Sequence, residues 1–147
     1  FTIDRGSDDG IALYDPVMTS NGLIGMVCEI APNYAKVATI LSDEINVGVM
    51  TFDSKVTGIL DNDIKNANEG NCLMSYITKD SGIKKGEIVK SVAGVVFPGN
   101  LLIGTVSKVY DDENGLSVHA VIKPAVDVRT VTDCVVITDF KGQGVVD

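Results

Sequence analysis

The 147-residue chain is 45% apolar and 22% charged, an ordinary globular balance, and is long enough for one domain or two small ones sharing a core. Its net charge of −8, with 12 Lys and Arg scattered singly, excludes the basic face that nucleic acid requires and disfavours an anionic membrane surface. Aromatic residues are 5% and Trp is absent, so the core must rest on Val, Ile and Leu, a composition that leans toward pleated sheet.

The chain starts at Phe1, inside what reads as a strand, and is expected to be a piece of a longer protein; no stretch has the length of a membrane span or the form of a signal peptide. Further strands are expected at 16–19, 23–30, 36–41, 46–52, 56–60, 72–78, 88–92, 101–109, 116–122 and 134–138, many alternating apolar with polar or small residues. Asn21-Gly22 and Asn114-Gly115 are hairpin dipeptides, because both residue types tolerate the positive φ of a tight turn. Residues 35–44 have partly helical composition but no apolar stripe, so strand is expected there too. Many short strands at close spacing imply a barrel or sandwich, which hides sheet edges.

An internal echo sharpens this. Gly10-Ile11, the run Pro16-Val17-Met18-Thr19-Ser20 and Leu23-Ile24-Gly25-Met26-Val27 recur in order as Gly82-Ile83, Glu87-Ile88-Val89-Lys90-Ser91 and Leu102-Ile103-Gly104-Thr105-Val106. Two related small barrels would follow from such a duplication. Gly25 and Gly104 sit inside apolar strands, where Gly marks a bulge or barrel corner, or else a close approach of another backbone.

Candidates for chemistry are few. The one histidine, His119, lies in an alternating strand with no Ser after it, so the protease order of His, Asp and then Ser cannot be built. A Cys134–His119 pair with Asp127 or Asp133 is conceivable, but neither sits in a Gly-rich loop suited to an oxyanion hole. Asp61, Asp63 and Asn66, and the acidic turn at 111–115, lack the spacing, bend Gly and closing Glu of a calcium loop. Cys28, Cys72 and Cys134 lie far apart without CxxC, so buried free thiols are expected, with no metal and no cofactor. Their odd number leaves at least one thiol unpaired within the chain, as suits a reducing compartment. The tail Gly142-Gln143-Gly144 is no dinucleotide fingerprint, since no helix follows it.

Several segments taken together resemble the extracytoplasmic β domain of the MreC rod-shape-determining family. They are Thr2 to Ile11, Asn21-Gly22-Leu23-Ile24-Gly25-Met26-Val27, Tyr34-Ala35-Lys36-Val37 through Leu41-Ser42-Asp43, and Val56-Thr57-Gly58-Ile59-Leu60. Ile83 to Val89, Phe97-Pro98-Gly99 through Val106, and Lys123-Pro124-Ala125-Val126-Asp127 complete the set in the family's order. Glu87 stands where the family has Asp, and Lys90 to Gly94 departs from the family's turn.

The resemblance implies an all-β fold of two six-stranded antiparallel barrels, trypsin-like without a catalytic triad, with about 16–78 as one barrel and about 1–15 plus 79–147 as the other. It also implies a non-enzymatic scaffold of the cell-elongation machinery on the outer face of the cytoplasmic membrane, anchored by an N-terminal span outside this chain. The odd cysteine count stands against that location. Implied partners are a second copy, MreD, MreB and a class B penicillin-binding transpeptidase. The rival readings are a degenerate chymotrypsin-like hydrolase, which needs His119 near a nucleophile, and a carbohydrate-binding barrel, which the lack of Trp weakens. Contacts for self-association or partners are expected at Leu23, Ile24, Gly25, Pro98, Gly99, Leu101, Ile103 and Gly104, the alternative for these residues being a buried barrel corner.

Overall fold

The computed structural model describes residues 1–94, 96–140 and 143; Gly142 and Gly144 of the tail lie outside them. Strands follow in the order β1 (Thr2–Ile3), β2 (Pro16–Thr19), β3 (Gly22–Ile30), β4 (Ala35–Thr39), β5 (Val47–Thr51) and β6 (Thr57–Leu60). A short helix α1 (Ile64–Asn68) precedes β7 (Cys72–Thr78), β8 (Ile88–Ser91), β9 (Leu102–Asp111), β10 (Ser117–Pro124) and β11 (Val135–Val136). The helix was not expected. Its start is set by Asp63, whose carboxylate accepts the Asn66 N–H at 2.8 Å and so satisfies a free helix-end donor.

The strands form one closed antiparallel barrel, β10-β7-β6-β5-β8-β9, and one open five-stranded sheet, β1-β4-β3-β2-β11. The all-β expectation therefore holds, and among the described residues the second element is an open sheet where a second six-stranded barrel is expected. The division along the chain also differs from the expected 16–78 and 1–15 plus 79–147. β5 and β7 pair with β8 and β10 across position 78, and β1 pairs with β4 instead of the second half. The pairing places the boundary between β4 and β5.

The duplication has a physical counterpart. Gly25 pairs with Val17 and Thr39, and Gly104 pairs with Val89 and Pro124. Each hairpin slips register one step after the valine, between Val17 and Met18 and between Val89 and Lys90. A Cβ on Gly25 would overlap the Ala38 carbonyl, and one on Gly104 the Lys123 carbonyl. Both glycines thus let a long strand press against its neighbour at a bulge. The structural match runs Val17 to Val89, one residue away from the alignment suggested by the shared serine.

One continuous core joins both sheets, built from Val17, Ile24, Val27 and Ile40 on one side and Val47, Val49, Leu60, Met74, Ile103 and Ile122 on the other. The connector between β4 and β5 is fastened by Asn62, which is buried. Its amide donates to the carbonyls of Ile40 and Ser42, and its oxygen accepts the Leu73 N–H at 3.0 Å. Of the cysteines only Cys72 is buried, its pKa pushed up to about 12 by that burial; Cys28 is exposed and Cys134 half-buried, which corrects the expectation of three buried thiols.

Candidate functional site

Strand alternation gives the barrel an apolar outer face. In β5, Val47, Val49 and Thr51 turn inward, so Gly48, Met50 and the following Phe52 turn outward. Thr57 and Ile59 of β6 and Ile88 and Lys90 of β8 share that face. Ile59, Gly48 and Val92 lie abreast, since Gly48 pairs with Ile59 and its carbonyl accepts the Val92 N–H at 2.8 Å. Thr57, Met50 and Lys90 form the next row, and the Phe52 N–H reaches the Ile88 carbonyl at 2.8 Å.

Phe52, Ile59, Ile88 and Val92 are 47%, 39%, 44% and 40% exposed, and Leu102 opposite Lys90 extends the patch. A contiguous exposed apolar patch with polar surroundings marks a contact surface, whereas a single exposed leucine does not. Because Gly48 carries no side chain, a hollow of about 260 Å³ opens beside Val92, Ala93, Gly94 and Phe97. The ammonium groups of Lys90 and Lys55 sit 4.2 and 5.0 Å from the Phe52 ring centroid. On a chain with net charge −8 this is a locally basic rim, suited to a partner with carboxylates around an apolar centre.

Glu87 holds the Phe52 and Lys55 turn in place. Its carboxylate accepts the Ser54 N–H at 2.9 Å, the Ser54 hydroxyl at 3.0 Å and the Lys84 N–H at 2.8 Å. Burial alone would raise its pKa; these donors and the Lys84 charge more than offset that, so its carboxyl lies below its ordinary range.

The contact residues expected from sequence divide in two. Leu23, Ile24, Gly25, Ile103 and Gly104 are buried and cannot meet a partner in the folded chain, which corrects that expectation. The run in β3 is apolar because both of its faces are covered from Gly22 to Gly25. Pro98, Gly99 and Leu101 are half-buried in a loop tied to β8, where the Ser91 hydroxyl donates to the Pro98 carbonyl at 2.7 Å and accepts the Leu101 N–H at 2.9 Å. That loop borders the exposed face at Val92 and Ala93. Met50, Phe52, Ile59, Ile88 and Val92 were missed. Their signal is that the outward positions of these strands carry apolar residues where solvent-facing strands usually carry polar ones.

His119 has a more specific setting than an isolated strand histidine. Ser75 and Tyr76 together oppose it at a bulge in β7, with Tyr76 at φ 60°. Its Nδ1 lies 3.1 Å from the Ser75 hydroxyl, its Nε2 3.4 Å from Asp112, and Tyr110 stacks on its ring with centroids 5.3 Å apart. The serine comes from earlier in the chain, an order not weighed from sequence. Ser75 is only 4% exposed within a paired strand, so a substrate carbonyl has no approach to it. The cluster ties β7 to the β9–β10 hairpin. The Glu113 N–H, followed by bonds from His119 and Ser117, keeps the Asp112 carboxyl below its usual range. Cys134 directly precedes β11 and lies near Asp133 and Asp4, not beside His119. Asp63 caps α1, and among the described residues no group of three or more His, Cys, Asp or Glu is placed to hold a metal ion.

Comparison with known proteins follows the same direction. Residues 1–138 match the family described as rod shape-determining protein MreC, barrel core. The cell shape-determining protein MreC of Listeria monocytogenes is 32% identical over 99% of this chain and 50% of its own length. The chain thus spans about half the length of the curated relatives it matches. The solved MreC of the same organism superposes with a TM-score of 0.83 at 30% identity, covering 92% of this chain and 65% of that one. An MreC of Helicobacter pylori, solved in complex with the penicillin-binding protein PBP2, shares the fold with a TM-score of 0.60 at 18% identity, over 74% of this chain and 65% of that one.

Proposed function

Because the chain belongs to the MreC family, we propose that it is a non-catalytic scaffold module that maintains cell shape by holding wall-synthesis proteins together. The observation that carries this reading is the outer barrel face of Met50, Phe52, Ile59, Ile88 and Val92, an apolar surface left uncovered on a module whose core is otherwise closed. Its lysine rim at Lys55 and Lys90 selects an apolar segment flanked by carboxylates. The partner in view is a penicillin-binding transpeptidase, as the Helicobacter pylori complex has for its own MreC. The half-buried loop at Pro98, Gly99 and Leu101 borders the same contact. Self-association and contacts with MreD and MreB belong to the same reading by family resemblance. The module would work outside the cytoplasmic membrane, tethered by other parts of the longer protein; no helix among the described residues is long and apolar enough to cross a bilayer.

The test replaces Met50→Glu and Ile88→Glu together and measures binding to the soluble domain of a class B transpeptidase by interferometry. Placing two carboxylates on a central apolar contact is expected to weaken binding at least ~30-fold, a loss of about 2 kcal/mol, while circular dichroism shows the parent fold. A folded double variant with parent affinity would remove this face as the contact.

A further inference from the structure

Asn21-Gly22 and Asn114-Gly115 both close hairpins, and they sit in opposite surroundings. Gly22 is buried at the head of β3, where Thr19 pairs with it. A Cβ there would lie 2.8 Å from the Leu102 carbonyl oxygen and 3.4 Å from the Ala125 Cβ, so the peptide after Asn21 is held by packing. Asn114 and Leu116 are exposed, and a Cβ on Gly115 would meet nothing within 4 Å. Two hydrogen bonds fix the residues around Asn114. The Gly115 N–H donates to the Asp112 carbonyl at 2.9 Å, and the Leu116 N–H donates to the Asn114 Oδ1 at 2.9 Å.

The second of these bonds bears on the chemistry of the Asn114 carboxamide. It closes a ring that contains the Gly115 nitrogen, so Cγ is folded toward that nitrogen, and glycine puts no side chain in the way. It also sets an N–H on the oxygen that turns negative when the nitrogen attacks, as an oxyanion-hole donor does in acyl transfer. Among the described residues no N–H donates to the Asn21 carboxamide; its main-chain N–H is bonded to the Thr19 hydroxyl at 3.1 Å. For Asn114 to react, one exposed bond, Gly115 to Asp112, has to open and no packed side chain has to move. For Asn21 to react, the start of β3 has to leave Leu102 and Ala125.

We propose that Asn114 is a site of self-modification in the folded protein, converting through a cyclic imide with Gly115 to aspartate and isoaspartate, while Asn21 in the same dipeptide is protected. The Gly115 nitrogen gives up its proton and bonds to Asn114 Cγ. The Cγ–Nδ2 bond breaks, and the amide nitrogen takes the released proton by way of water and leaves as ammonia. Water then opens the imide, at Cγ to give aspartate or at the main-chain carbonyl carbon to give isoaspartate. Water is the one co-reactant, so the inference does not rest on the scaffold reading. Either product sets a further carboxylate beside Asp111, Asp112 and Glu113, and like charges so close repel. The isoaspartyl form also lengthens the main chain by one carbon, which disturbs both turn bonds. The hairpin tip then loosens beside Asp112, whose carboxylate lies 3.3 Å from the Ser117 hydroxyl and 3.4 Å from His119 Nε2.

The test holds the protein at neutral pH and physiological temperature, native and in urea. The tryptic fragments 6–36 and 109–123 are followed by mass spectrometry, and isoaspartate by methyltransferase labelling. Each conversion replaces an amide by a carboxyl and adds about one mass unit. In the native protein Asn114 is expected to convert at least ~tenfold faster than Asn21, and in urea, where neither is held, the two should agree within about threefold. Gly115→Ala should slow conversion of Asn114 at least ~tenfold in both conditions, because a methyl crowds the attacking nitrogen. Amide exchange at Leu116 should speed up as native conversion proceeds. Asn114 that stays intact in the native protein while both residues convert in urea overturns the proposal, since the turn would then protect it. Native rates for Asn114 and Asn21 that agree within about threefold overturn it as well. Exchange at Leu116 that stays constant through full conversion overturns the loosening of the tip.

Discussion

Gly104→Ala is the substitution on which the description of the two sheets can be tested most sharply. The added methyl would overlap the Lys123 carbonyl oxygen and lie 2.8 Å from its carbon and 2.9 Å from Pro124 Cα, closer than real Cβ atoms approach. These neighbours are backbone, not the tips of flexible side chains, so β10 has to move away from β9. The adjacent hydrogen bond from the Ala125 N–H to the Ile103 carbonyl, 2.9 Å, moves with it. Overpacking of this kind belongs at the upper end of the usual range, about 3 kcal/mol. For a domain of this size that lowers the melting temperature by roughly 6–12 °C. Gly25→Ala meets the equivalent obstacle at Ala38 and should fail to a similar degree. Gly48→Ala is the control: its nearest neighbour would be the Val92 Cβ at 3.9 Å. That variant should gain roughly 0.5 kcal/mol from a less mobile unfolded chain. Thermal unfolding followed by circular dichroism decides the matter. A Gly104→Ala protein melting within about 2 °C of the parent would show that the close approach of β9 and β10 does not constrain the fold.

Two further outcomes follow from buried groups. Glu87 has a depressed pKa in the folded chain, so its stabilising contribution is present above the unfolded value of about 4.3 and is lost as pH falls through the folded value. Urea midpoints of the parent should therefore drop through the acid range more steeply than those of Glu87→Gln; parallel curves would mean the Ser54 and Lys84 donors do not favour the charged form. The three thiols should react with a disulfide reagent in the order Cys28, Cys134, Cys72, the last only in denaturant because it is buried. Labelling of Cys72 in the native protein at a rate near that of Cys28 would contradict the packing of β7 against the connector.

The strands were legible because short β-branched runs and turn dipeptides are local signals; 16–19 and 72–78 match β2 and β7 residue for residue. The helix at Ile64–Asn68 was not, since one capping carboxylate over a single turn leaves no apolar stripe. Openness of the first sheet was equally hidden. It depends on which strand pairs at each edge, a long-range fact, and the two-barrel expectation assumed both halves had the same number of strands. The expected contact residues fell largely on buried strand for a different reason. Leu23 to Val27 is apolar because both sides are covered, so the densest hydrophobic runs report interior. The exposed face shows only when alternate residues of β5, β6 and β8 are placed side by side, and register is what sequence alone does not supply.

Asn62 has a consequence for how force and orientation pass through the molecule. Between β4 and β5 the backbone would ordinarily be a hinge, free to let the halves swing. Here one carboxamide grips two of its carbonyls while holding a peptide N–H of β7. Those bonds restrain the joint, so a protein seated on the barrel would take a set attitude relative to whatever the open sheet is attached to. On the proposed scaffold function, such a unit would be a bracket that sets the angle between the things it joins, where a flexible tether would set only their distance.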